Sequence, residues 1–322
     1  MTDPRNILYL SESDLKGLGI STDDSINAIE KMIRGRAEGK VWWAPKANIL
    51  PPDGRYMMAA LAASDEPPIL AVKSVLLAPE NSGRGLPQIN GLITVMDSVN
   101  GLPLACMDAN WITAVRTAAL SAVAAKRLAR AGSSVAAFVG CGVQAHSHLD
   151  AFASMYPLTE VRVFGRGQAN IDALCAAAES KGLSAVVCTT GAEAIQAADL
   201  ITTSVTFSAS LEPFLDAGVM KPGSFAAITD LAAPWVKESF NTLNRVIIDD
   251  MAQEASLPNK LADPDAVHGD ISNLVMGDVA GRSGDDERTA FIFRGHAIGD
   301  LALSALAYQK ALDGGLGVTV KA

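Results

Sequence analysis

The sequence predicts an α/β protein: a Rossmann-type doubly wound parallel sheet, accompanied by an α+β domain formed by the N-terminal part and a C-terminal helix. Three observations predict it. The stretch Ala136 to Ala145 is an apolar run that ends in a Gly-x-Gly-x-x-Ala turn and leads into a helical segment, His146 to Tyr156. From Ser134 to about Thr289, short apolar strands alternate with helical stretches, the pattern of a parallel sheet. Between Val41 and Leu104 the pattern is instead strand after strand across Pro- and Gly-rich turns.

Each element has a local cause. A strand at Ile7–Leu10 precedes Ser11, an N-cap for Glu12 to Leu18. An amphipathic helix is expected from Thr22 to Glu38, capped by Thr22 or Asp23 and ended at Gly39. The strands Met57–Ala62, Ile69–Leu77 and Gly91–Asp97 follow, then a helix from Ile112 to Arg130 favoured by its Ala, Leu, Lys and Arg content. The second region places strands at Ala136–Val139, Val161–Phe164, Ala185–Cys188, Leu200–Thr203, Ser224–Ile228 and Arg245–Asp249. A last helix, Ala297–Leu312, is expected to pack back onto the first domain.

The glycine turn points to a dinucleotide. Gly140 makes the tight turn, Gly142 admits a pyrophosphate to backbone N–H groups, and Ala145 lets the helix lie close to the strand. The helix N-terminus favours the phosphates. Arg166 lies 24 positions after Gly142, where NAD sites place an acid, and the tip Phe164-Gly165-Arg166-Gly167-Gln168 has none. A guanidinium there suits a 2′-phosphate and favours NADP(H) over NAD(H); the alternative is a solvated surface arginine.

Other residues invite a site. Lys73 is a cation inside an apolar strand, so it pairs with an acid or faces a cleft. Arg116 and, more weakly, Lys46 join it as ion-pair partners or as a clamp for a carboxylate. Asp230 follows the strand ending at Ile228, where the carboxyl ends of parallel strands face a ligand; it is an acid/base candidate or a loop cap. Ser204, Val205 and Thr206 lie on the same rim, beside a nicotinamide ribose. His146 and His148, two positions apart, point to different helix faces, which argues against a metal pair.

The net charge of −9 over 322 residues argues against nucleic acid or an anionic membrane as partner. Cys106, Cys141, Cys175 and Cys188 show no metal spacing and read as reduced thiols. The start, Met-Thr-Asp-Pro-Arg-Asn, has no charged-then-apolar signal, and a cytoplasmic location is expected.

These residues resemble the ornithine cyclodeaminase/mu-crystallin family over nearly the whole chain. The resemblance is carried by Ala71-Val72-Lys73, Pro79-Glu80-Asn81, Gly85-Leu86-Pro87, the Ile-Thr-Ala-Val-Arg-Thr-Ala-Ala core within Asp108–Ala119, and Val139 to Ala145. Gly281-Arg282, Asp286 to Thr289, Gly295 and Ile298-Gly299-Asp300 extend it. It implies a substrate-binding and dimerisation domain at 1–115 and 297–322, a dinucleotide domain at 116–296, the active site between them, and a homodimer. It also implies that Lys46, Lys73 and Arg116 hold the substrate carboxylate and that Asp230, with Lys73, is catalytic. Thr117, Gly140, Gly142, Val143, Gln144, Arg166, Ser204, Val205 and Thr206 are the expected coenzyme contacts.

The chain departs from the family in three places. Cyclodeaminases carry a glutamate where this chain has Arg55-Tyr56-Met57-Met58, which argues against ornithine cyclisation. The usual Gly-Ala-Asp-x-Pro-Gly is replaced by Ile-Thr-Asp-Leu-Ala-Ala-Pro-Trp around Asp230. Phe293-Arg294 stands where small hydroxyl residues are common, and Arg294 is a candidate second anion contact or a plain surface arginine. The expected activity is NAD(P)H-dependent reduction of a 2-imino acid or cyclic ketimine such as a pyrroline-2-carboxylate. The rivals are an ornithine cyclodeaminase or alanine-dehydrogenase-type enzyme, and a non-catalytic NADPH-dependent ligand-binding protein.

Overall fold

A computed structural model describes residues 6–206 and 211–321; the N-terminal residues read for targeting lie outside them, apart from Asn6. The chain begins with β1 (Asn6–Leu10), α1 (Glu12–Gly17), α2 (Thr22–Ala37), β2 (Val41–Trp43), β3 (Ala47–Ile49), β4 (Tyr56–Asp65), β5 (Pro68–Leu77), β6 (Ile89–Asp97) and β7 (Pro103–Asp108). It continues with α3 (Ala109–Leu128), β8 (Val135–Val139), α4 (Val143–Met155), β9 (Glu160–Phe164), α5 (Gln168–Ser180), β10 (Ser184–Val187), α6 (Gly191–Ile195), β11 (Leu200–Thr203), β12 (Phe225–Ile228) and β13 (Arg245–Ile248). Then come α7 (Met251–Ser256), β14 (Gly269–Asp270), α8 (Ile271–Met276), β15 (Thr289–Ile292), α9 (Ala297–Gly314) and β16 (Val318–Lys321).

Two compact units result, Met1–Arg116 with His296–Ala322, and Thr117–Gly295. The first carries a mostly antiparallel sheet in the order β16-β1-β7-β6-β5-β4-β2, with β3 also on β4 and one parallel pair, β1 with β7. Alternation sorts its faces. Ala60, Lys73, Ile93 and Met107 pair across β4 to β7 and are all buried, as are Ala62, Ala71, Val95 and Ala105. α9 packs on β4 and β5, so this side chain row lies under it. The opposite face leaves Leu61 and Leu92 42% and 48% exposed.

α1 and α2 start at capping boxes, Ser11 with Asp14 and Ser21 with Asp24. The cap of α2 is therefore Ser21, one residue before the expected Thr22 or Asp23. Ser21 wins because Asp24, at the third helical position, returns a bond to its backbone.

The second unit is the Rossmann half. Its sheet runs β10-β9-β8-β11-β12-β15-β13-β14, every pair parallel. The central strands β8, β11, β12, β15 and β13 are buried on both faces and are correspondingly apolar, with Ala137, Val139, Ile201, Ala226, Ile228, Ala290 and Ile292 in one core cluster. β15 was not expected. Its four residues, Thr-Ala-Phe-Ile, are too few to show a period, yet they sit between β12 and β13. Among the described residues no helix is long and apolar enough to cross a membrane.

Candidate active site

In the second unit the direction of winding reverses between β8 and β11, the switch point at which such sheets bind ligands. Gly140 ends β8 there with φ +95, and its N–H donates to Phe164 O. A Cβ on Gly140 would lie 2.6 Å from Ser204 O at the end of β11, so only glycine lets these two chains close. Gly142 caps α4 without any side-chain bond, and a Cβ there meets nothing within 4 Å. Val143 is exposed, and Gln144 Oε1 is buried with no hydrogen-bond partner among the described residues. A helix N-terminus left open above a glycine cradle fits a pyrophosphate. Arg166 lies exposed just past β9.

Asp230 follows β12, the neighbour of β11. Its carboxyl is buried; Oδ2 accepts the Val205 N–H at 2.9 Å and Oδ1 accepts the Thr203 hydroxyl at 3.0 Å. Burial pushes this acid up to about 6, against the pull of those donors. Ser204 donates to Gly140 O at 3.4 Å, Val205 holds Asp230, and Thr206 is exposed beside them.

In the first unit three elements converge on one carboxylate. Asp300, in the first turn of α9, takes Lys73 Nζ from β5 at 2.8 Å and Arg116 Nε from α3 at 3.1 Å, on the same Oδ1. Lys73 is 1% exposed and Arg116 5%. Burial draws the Lys73 ammonium down to about 7, with Arg116 adding to it and Asp300 opposing. Burial acts to raise Asp300, but the charges of Arg116 and Lys73 overcome it and hold the acid below its usual range. Lys46 is near enough to act on both groups. Sequence reasoning assigned Asp300 no role, although it lies in a quoted family motif.

Thr117 is buried at the start of the second unit. Arg294 reaches Glu254 through Nε and Nη2 at 2.9 and 2.7 Å and Asn259 O at 2.6 Å, so its guanidinium anchors the 254–259 segment. His148 is buried on α4: its Nδ1 lies 2.8 Å from Gln144 O and its Nε2 2.9 Å from the Ser121 hydroxyl. A carbonyl only accepts, so the proton is on Nδ1 and Nε2 accepts from Ser121. Burial depresses this imidazole to about 4.

The chain is 30% identical to an alanine dehydrogenase of Archaeoglobus fulgidus, over 98% of both chains. Among solved structures it is similar to the Δ1-pyrroline-2-carboxylate reductase of Thermococcus litoralis in complex with NADH and L-proline (28% identity, TM-score 0.89, 98% of this chain and 100% of that one). It is also similar to an archaeal alanine dehydrogenase dimer with bound NAD (28% identity, TM-score 0.86, 98% and 99%). These relatives are named as a reductase and dehydrogenases, the nicotinamide-dependent oxidoreductase class expected from the sequence. Residues 9–315 match the profile of the ornithine cyclodeaminase/mu-crystallin family, and the chain belongs to that family.

Proposed function

We propose that this protein is an NADPH-dependent reductase of 2-imino acids, with cyclic ketimines of the pyrroline-2-carboxylate type as its substrate class. The observation that carries the reading is Asp230: a buried acid titrating at about 6, next to the switch point of a nucleotide-binding sheet. An imine accepts hydride readily only when protonated, and a carboxyl raised into that range stays partly protonated near neutrality. Bound at the glycine cradle, the dihydronicotinamide supplies the hydride for the C=N carbon.

The protein's residues do the rest. Gly140 and Gly142 admit the pyrophosphate, Val143 and Gln144 present the first N–H groups of α4, and Ser204, Val205 and Thr206 flank the nicotinamide ribose. Arg166 pairs with a 2′-phosphate, which selects NADP(H). Lys73 and Arg116, with Lys46, hold the substrate carboxylate; one acid among three cations leaves that cluster positive and suited to an anion. Asp230, directly or through a water it holds, delivers the proton to the imine nitrogen. A homodimer is part of the reading: the sheet face bearing Leu61 and Leu92 is apolar and exposed, and the similar archaeal alanine dehydrogenase is a dimer.

A screen of absorbance at the nicotinamide band tests the proposal. NADPH and NADH are each offered with pyrroline-2-carboxylate, piperideine-2-carboxylate, and pyruvate with ammonia or methylamine. Oxidation of NADPH in preference to NADH with a cyclic imine is expected. Turnover with ornithine and no net change in coenzyme would replace the reading by a cyclodeaminase, and tight binding without turnover by a ligand-binding protein.

A further inference from the structure

Behind Asp230 lies a second layer of buried hydrogen bonds. Trp235 Nε1 donates to Thr203 Oγ1 at 3.1 Å, and Thr203 Oγ1 donates to Asp230 Oδ1 at 3.0 Å. Trp235 and Thr203 are 1% and 0% exposed. An indole N–H only donates, so the Thr203 oxygen must accept from it, and its single proton is then directed to the carboxyl. The Thr203 backbone is fixed as well, because its carbonyl accepts from the Thr229 hydroxyl at 2.8 Å and from the Thr229 N–H.

The turn that delivers the indole is strained. Leu231 and Ala232 adopt φ +60 and +57, the left-handed region that side chains avoid. They fold the chain back so that Ala233 N bonds Asp230 O and Trp235 N bonds Ala232 O. Strain of this kind persists only where the surroundings hold it, and it concentrates at functional sites.

We infer that Thr203 and Trp235 are positioning residues for the Asp230 acid: Trp235 sets the Thr203 hydroxyl, and that hydroxyl fixes the carboxyl's orientation and proton affinity. The inference rests on the proposed role of Asp230. Its physics does not require turnover, because the chain Trp235–Thr203–Asp230 exists in the protein alone. Among the described residues the principal influences on Asp230 are its burial, then the Val205 N–H, the Thr203 hydroxyl and the Asp230 and Ala232 backbones. A donor to the ionised form favours that form, so loss of the Thr203 hydroxyl raises the acid's midpoint.

The test follows the Trp235 indole N–H by proton–nitrogen correlation NMR across pH in the coenzyme-free protein. The chain has four tryptophans, so Trp235→Phe assigns the resonance by its loss. In the native protein that resonance is expected to titrate with Asp230, and Asp230→Asn to abolish the titration. Thr203→Val cuts the indole off from the acid, so the acid's midpoint is followed on the Asp230 carboxyl carbon; it is expected to rise by about one pH unit, the scale of one hydrogen bond to a charged group. Thr203→Ser, which keeps the hydroxyl, restores it.

In imine reduction the activity falls as pH rises through the acid's midpoint. Thr203→Val therefore shifts that limb upward, and Trp235→Phe shifts it the same way by less. An indole resonance that does not titrate, or an equal midpoint in Thr203→Val and native protein, overturns the relay. Native turnover in Asp230→Asn, together with the indole titration in the native protein and its loss in that variant, would instead remove the catalytic reading while leaving the relay standing.

Discussion

Asp300 reaches Lys73 across 227 positions of chain, and the balance of charge around it decides what each substitution does. Lys73→Met leaves Arg116 and Asp300 as a matched pair. Asp300→Asn removes the carboxylate that Lys73 and Arg116 share, at a cost of about 3–5 kcal/mol. Denaturant unfolding is therefore expected to show Asp300→Asn far less stable than Lys73→Met. Affinity for a carboxylate ligand separates them in another way. In the native protein it falls as pH rises past about 7, where Lys73 loses its charge, and Lys73→Met removes that dependence. Equal stabilities for the two variants would refute the charge argument. Lys73 was legible in the sequence because a lysine inside an apolar strand demands an explanation. Asp300 was not, since one acid near a helix start has many uses and nothing local names its partner. Arg294 failed to announce Glu254 for the same reason: the two meet only after folding, 40 positions apart.

At the scale of elements, the glycine loop separates packing from ligand approach. Gly140→Ala forces a methyl to within 2.6 Å of Ser204 O in a left-handed backbone, and about 2 kcal/mol or more of stability is expected to go with it. Gly142→Ala meets open space at φ −88, so the fold is expected to stay within about 1 kcal/mol of native. Its methyl projects from the N-cap of α4, where a pyrophosphate must approach, and NADPH affinity is expected to drop at least tenfold by fluorescence titration. Undiminished affinity would show that the coenzyme does not lie over this turn. The loop was readable because its spacing, its flanking strand and its helix all agree. β8, β11 and β12 were readable as short apolar runs, because a parallel strand at the centre of a sheet is buried on both faces. β7 and β15 escaped: the first mixes Pro, Cys and Asp, and the second is four residues long. Pairing with their neighbours, β6 and β1 for the first and β12 and β13 for the second, makes them strands.

Between about pH 6.5 and 4, two buried groups of opposite sign act on the stability of the molecule. His148 is depressed to about 4 from 6.5, so the unfolded chain binds its proton first and stability falls as pH drops from about 6.5 to about 4. Asp230 is raised to about 6 from 3.8, so the folded chain binds its proton first and stability grows as pH drops from about 6 to about 3.8. Each shift corresponds to about 3 kcal/mol, and the two windows nearly coincide. Between them the groups offset, leaving little net dependence from this pair in the native protein. Single substitutions expose what the offset hides. His148→Gln leaves Asp230 unopposed and is expected to make the protein relatively more stable at pH near 4.5 than at 7. Asp230→Asn leaves His148 unopposed and is expected to steepen acid unfolding by about 3 kcal/mol over the same interval. Urea unfolding of the three proteins at several pH values measures both slopes. Parallel curves for all three would mean that neither group changes its proton affinity on folding, and the burial of Asp230 would then no longer explain an acid poised near neutrality.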